Sequence, residues 1–159
     1  MKKIIITAAI AGAIGFATGN AFWYLASPLW IDIVVNETAT AAETETLLVA
    51  GNFVGADAIH QGHGVAEIFQ GTDGGKIVAF SDFEVTNGPD LKVWLVAHPN
   101  PGSRDDVLGS DYIALGVLKG NIGNQNYAIP AGTDLSRYQS VVIWCEQFSV
   151  LFATAALES

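Results

Sequence analysis

The chain has 159 residues, room for one domain and a short appendage. Half of them are hydrophobic and only 14% are charged, which excludes a disordered chain. The net charge of -9 excludes nucleic acid as a partner and suits an anionic membrane surface poorly, because both demand basic side chains.

Lys2 and Lys3 open the chain, and no further charge appears until Asp32. Ile4 to Ala26 is apolar throughout. At about 1.5 Å per residue such a run crosses a hydrocarbon core of roughly 30 Å. Trp23, Tyr24 and Trp30 stand at its far end, where amphipathic aromatics favour the interface. Residues 1–35 are therefore predicted to hold one transmembrane helix and a juxtamembrane segment. Lys2 and Lys3 place the N-terminus in the cytoplasm and the remainder on the extracytoplasmic face, periplasmic or extracellular. The rival is a cleaved signal peptide, with Gly19-Asn20-Ala21 as a small-x-small site. The length of the span and the aromatics at its exit favour an uncleaved anchor. Gly15 and Gly19 have GxxxG spacing, read here as part of a small-residue helix with no assigned partner.

Residues 36–46, NETATAAETET, are small, polar and acidic, and are predicted to be a linker. From Leu47 to Ser159 short runs rich in Val, Ile, Phe and Trp alternate with Gly, Asn, Asp and Pro clusters. Strands are predicted at Leu48–Val54, Gly64–Gln70, Lys76–Phe80, Phe83–Thr86, Leu91–Ala97, Asp111–Leu115, Tyr127–Ile129, Val141–Glu146 and Ser149–Leu157. Thr72-Asp-Gly-Gly75 reads as a hairpin turn and Asn87-Gly-Pro-Asp90 as a tight turn. His98 to Asp106 reads as a long loop that rims a site. Thr133 reads as the cap of one helical turn, Asp134–Tyr138. Short strands at regular spacing point to an all-β domain, an antiparallel sandwich or barrel.

Cys145 is the lone cysteine, so no internal disulfide forms. Strand alternation puts it on one face with Val141 and Ile143, and puts Val142, Trp144 and Glu146 on the other. Its functional readings are a redox thiol or a thiolate ligand to a metal or haem. Its bland reading is a small buried hydrophobe, which is what most free cysteines are. No basic residue adjoins it to lower its pKa.

His60 and His63 lie in a glycine-flanked stretch that is read as a loop or bulge. Cys145, His60, His63 and Asp57 assemble a zinc set on paper, although the spacing is not a recognised zinc pattern. Blue copper lacks its usual axial Met and has no His after Cys145. The C-x-x-C-H signature of covalent haem is absent, which leaves non-covalent haem open. Loop hydrogen bonding is the bland reading of both histidines. There is no G-x-S-x-G elbow and no phosphate-cradling glycine loop before a helix. Asp105-Asp106 and Asp82/Glu84 read as solvated faces or turn caps.

The stretch from about Leu47 to Leu157 resembles the DM13 domain family. The resemblance is carried by Gly51-Asn-Phe53, Asp57, His60, Gly62, Gly64 and Ala66, then by Phe80-Ser-Asp-Phe83 and Asn87-Gly-Pro-Asp-Leu91 leading into Val93-Trp-Leu95. It continues through Leu115-Gly-Val-Leu-Lys-Gly120, Gly123-Asn-Gln-Asn-Tyr127, Ile129-Pro130 and Val141-Val-Ile-Trp-Cys145, with Phe148 and Phe152. It implies an electron-transfer or redox module centred on the cysteine, here Cys145, as a free thiol or as a ligand to a group such as haem. It also implies roles for His60 and the Asn87–Asp90 turn, and leaves His63 outside the shared site.

The expectation is thus a membrane-tethered extracytoplasmic β domain with Cys145 as the redox or ligating group. His60, Asp57 and Asp90 are its neighbours, and a redox partner protein is its counterpart. No cofactor is identified and no enzymatic class is assigned. The alternative is a ligand- or protein-binding scaffold in which Cys145 is structural and the His98–Asp106 loop faces the partner.

Overall fold

Eight strands form one antiparallel sheet that curls into a nearly closed barrel. They are β1 (Thr46–Gly55), β2 (Gly62–Gln70), β3 (Lys76–Val85), β4 (Leu91–Val96), β5 (Tyr112–Val117), β6 (Gln125–Ile129), β7 (Ser140–Cys145) and β8 (Val150–Ala156). The computed structural model describes residues 2–27, 30–38 and 46–158. Around the sheet the order is β5-β4-β7-β8-β1-β2-β3-β6. The two edge strands, β5 and β6, approach each other and leave one seam. The all-β barrel expected from the alternating runs is the architecture found.

Leu91, Val93, Leu95, Val141, Ile143 and Cys145 point into the barrel. At its centre Phe53, Phe80 and Phe83 meet with ring centroids 4.8–5.0 Å apart, within the range where aromatic pairs attract. The intervening residues Trp94, Val96, Val142 and Trp144 point outward, into a second buried cluster with Val107 and Leu151. The cover over that outer face is the 97–111 connection, which includes the helix α2 (Arg104–Leu108). Thr154 donates to Pro101 O at 2.9 Å beneath it, and Trp94 stacks on Tyr112 at 3.9 Å. All six residues of β7 are buried as a result. This is why 140–145 reads as a continuous apolar run instead of an alternating one.

Three expectations change. Lys76–Phe80 and Phe83–Thr86 are one strand, because Ser81-Asp82 is a bulge and not a break. The register shifts opposite it, between His63 and Val65, with Asp82 at φ 49 and Gly64 at φ 107. A Cβ on Gly64 would lie 2.6 Å from Phe83 Cα, so glycine is needed there. The helical turn after Pro130 is a 3-10 turn, Leu135–Arg137, capped by Asp134; Thr133 donates instead to Pro130 O. The His98–Asp106 loop leaves β4 at the end of the barrel away from Cys145 and serves as the cover of the outer core. Its short helix, capped by Ser103, escapes periodicity because five residues are under two turns.

The loops fall at two ends. The cysteine end holds the β1–β2, β3–β4, β5–β6 and β7–β8 connections. The hairpin end holds the Gly71–Gly75 turn and the 130–139 segment. The 25-residue helix α1 (Lys2–Ala26) is exposed along nearly all its described length and is long and apolar enough to cross a membrane, a test that signal sequences also pass.

The chain joins the barrel again at the cysteine end. Val34 bridges Ile122, Val35 N donates to Ile122 O at 2.9 Å, and Glu37 N donates to Asn124 O at 2.9 Å. Attachment thus begins ahead of the expected linker. Of that linker, residues 39–45 lie outside the described residues.

Candidate functional site

Cys145 ends β7, across from Leu91 on β4 and Val150 on β8. It is 1% exposed and belongs to the inner core. Glu146, the next residue, turns away. Its N–H donates to Asp90 O at 3.0 Å, and its carboxylate stands 3.6 Å from Lys92 Nζ, which also pairs with Asp90 at 2.7 Å. The Asp90 hydrogen bond raises the Lys92 pKa above the ordinary lysine value. Alternation thus separates the thiol from the charge beside it in sequence.

The Asn87–Asp90 turn closes the barrel over this region. A Cβ on Gly88 would lie 2.8 Å from Leu91 Cδ2 and 2.9 Å from Phe152 Cζ, so bare backbone packs on both side chains. Asn87 Nδ2 donates to Asp32 at 2.7 Å. A cavity of about 230 Å³ lies beside the turn, lined by Ile33, Gly88, Leu91, Leu118 and Asn121 among others, but not by Cys145.

Phe152 links the thiol's core to His60. In the β7–β8 pairing Ile143 opposes Ala153 and Trp144 opposes Leu151, so Phe152 is the extra residue of a bulge. It sits in the same buried cluster as Cys145, and the His60 ring lies on it with centroids 4.4 Å apart. His60 Nδ1 is 2.8 Å from Asp57 Oδ2, while Asp57 Oδ1 accepts from the N–H groups of Ile59 and His60 at 2.7 Å. The His60 backbone N–H, then its ring, then the Ile59 N–H hold the Asp57 pKa down to about 2. Asp57 engages Nδ1 of the ring.

His63 stands apart, 3.8 Å from Glu84 on the outer surface. Among the described residues no group of three or more His, Cys, Asp or Glu side chains is placed to hold a metal ion. Cys145 is 1% exposed, lines none of the cavities described, and has no assembled co-ligands among the described residues. The arrangement does not fit a resident haem or metal on Cys145.

Sequence reasoning missed the polar frame of this end. Gln125 is fully buried. Its amide donates to Gly120 O at 2.7 Å and its carbonyl accepts from Tyr127 OH at 2.7 Å. Burial pushes the Tyr127 pKa up. Asn121 donates to Asp32 and accepts from Ile33 N. Glu37 pairs with Lys119 at 2.7 Å and accepts from Asn126 N, which holds its carboxyl below the usual range. The signal was the density of Asn and Gln between Gly120 and Tyr127, which exceeds what a plain turn needs.

A family model described as Electron transfer DM13 matches residues 52–157, more than half of the chain. No curated protein and no solved structure matches.

Proposed function

Because the chain belongs to the DM13 family, we propose that it is a membrane-tethered, extracytoplasmic electron-transfer module whose working end is the cysteine end of the barrel. Cys145 is its redox-active group. The supporting observation is convergence: Asp57–His60, Asn87–Asp90 and Cys145 are distant in sequence yet meet at one end. In this reading α1 is an uncleaved anchor, Lys2 and Lys3 are cytoplasmic, and the counterpart is a redox partner protein. Asp57 holds His60 against Phe152, and Asp90 fixes the turn and its Lys92. An enclosed thiol reacts only when its cover moves, so the partner must displace the Asn87–Asp90 turn.

The burial of Cys145 also favours a second reading, a binding or scaffold module in which the thiol only fills the core. One experiment separates the two. The full chain is purified in phosphatidylcholine nanodiscs, and its visible spectrum, metal content, redox titration and Cys145 reactivity are measured beside Cys145→Ala. The redox reading expects Cys145 to exchange with added glutathione disulfide, its thiolate forming a mixed disulfide while one glutathione thiolate leaves, at a ratio of glutathione disulfide to glutathione that defines its potential; the adduct is absent in Cys145→Ala while the fold persists. A colourless, metal-free protein with an inert thiol and no couple sinks it and leaves the scaffold.

A further inference from the structure

The cysteine end carries Val54, Ile59, Val117 and Phe148 of the β domain's exposed apolar side chains, with Leu47, Leu108 and Tyr112 exposed elsewhere, and the juxtamembrane Ile33 joins them. Ile59 is 74% exposed, Phe148 62%, Val117 61% and Ile33 54%. They come from four separate segments: the β1–β2 loop, the β7–β8 turn, the end of β5 and the juxtamembrane chain. Soluble surfaces rarely gather such side chains without something to cover them. Lys92 stands between Asp90 and Glu146 and Lys119 pairs with Glu37, while Asp32 and Asp57 add to an acidic excess, so this end suits a zwitterionic bilayer surface and not an anionic one.

The same end is held close to α1. Asp32, which binds Asn87 and Asn121, follows the last residue of α1, Ala26, by six positions. Even fully extended, that stretch reaches only about 22 Å. The cysteine end of the barrel is thus confined near the C-terminal end of α1.

We propose that the cysteine end lies against the bilayer that α1 spans, with Ile59, Phe148 and Val117 entering the headgroup–acyl boundary. The proposal rests on the reading of α1 as an uncleaved anchor. A few apolar side chains alone would bind lipid weakly. Tethering turns that contact into an intramolecular one at an effective concentration in the mM range, where weak contacts suffice. A partner of Cys145 then approaches along the membrane plane and not from bulk solvent.

The test uses the full chain in phosphatidylcholine vesicles with single spin labels on a Cys145→Ala background. Ala58→Cys and Gln147→Cys report the cysteine end, Ala131→Cys the hairpin end, and Ala11→Cys the helix. If that background does not fold, the same labels are attached in the Cys145 chain, whose own thiol is enclosed, and mass spectrometry confirms single labelling. The expected result is that labels at 11, 58 and 147 collide several-fold more with oxygen, relative to a water-soluble nickel chelate, than the label at 131. Adding Ile59→Asp and Phe148→Asp should return 58 and 147 to the water-exposed ratio. Labels at 58 and 147 as wet as 131, with 11 in lipid, overturn the docking and leave the anchor standing. A wet label at 11 overturns both.

Discussion

The two ends of the barrel use their polar groups differently. At the hairpin end several side-chain bonds are local, Asp73 accepting from Gly75 N and Asp134 from Ser136 N, and Arg137 to Asp111 is the side-chain bond that reaches another loop. The local bonds give each loop its own shape. At the cysteine end they join segments far apart in sequence. Asn87 and Asn121 share Asp32, Thr86 accepts from Gln61 N, and Glu146 N reaches Asp90 O. Such bonds fix loops relative to one another, which a functional site requires. The hairpin end nevertheless has the larger cavity, about 600 Å³, lined by Leu48, Val49, Ile68, Leu135 and Tyr138 among others. None of the candidate residues lines it. Cavity size points to the hairpin end, whereas the proposed function rests on the residues gathered at the other.

The contrast breaks most visibly at Phe152. Phe152→Ala removes a ring that the inner core and His60 share, and should cost about 3–5 kcal/mol in urea unfolding. It should also free the His60 ring, seen as a loss of its ring-current shift. Next is Gly88→Val, whose side chain must enter space held by Leu91 and Phe152. Overpacking of this kind costs about 1–3 kcal/mol. Gly102→Val on the outer loop, where nothing lies within 4 Å, should stay within about 0.5 kcal/mol. Equal effects at the two glycines would refute the close packing of the turn.

Cys145→Ser sharpens the thiol's place. A hydroxyl left without a partner in the inner core should cost about 1–3 kcal/mol, and Cys145→Ala about 1 kcal/mol through lost packing. The smallest effect is electrostatic. The Glu37 pKa lies below its usual 4.5, first through the Lys119 hydrogen bond and then through Asn126 N. A depressed carboxyl stabilises the fold fully above its unfolded pKa and loses that contribution as pH falls through the folded value. Stability should therefore decline below about pH 4.5 by an amount that Lys119→Met reduces. Both partners are over a third exposed, so the pair contributes only about 0.2–1 kcal/mol. Unfolding free energies measured from pH 7 to pH 3 in the two chains check it.

Strand content was legible because most strands follow the period-2 rule or form short apolar runs between turn residues. The bulge at Ser81-Asp82 was not, because two polar residues in a row look like a break until β2 is seen to carry Gly64 opposite. The candidate residues were legible one at a time, from residue type and from the likeness carried by Asn87–Leu91 and Val141–Cys145. Their common location was not, since His60 and Cys145 are related only through Phe152.

By itself the sequence determined the apolar helix, the all-β class, the face that Cys145 shares with Val141 and Ile143, and the family. All but the family follow from local periodicity and composition, which short windows record; the family follows from the ordered motifs that run from Gly51 to Phe152. Tertiary structure alone decided that the 97–111 loop buries the back of β7, that Gly88 seals the barrel, and that Asp32 pins the juxtamembrane chain to the cysteine end. Each of these depends on contacts between residues tens of positions apart, and no window of sequence contains both partners.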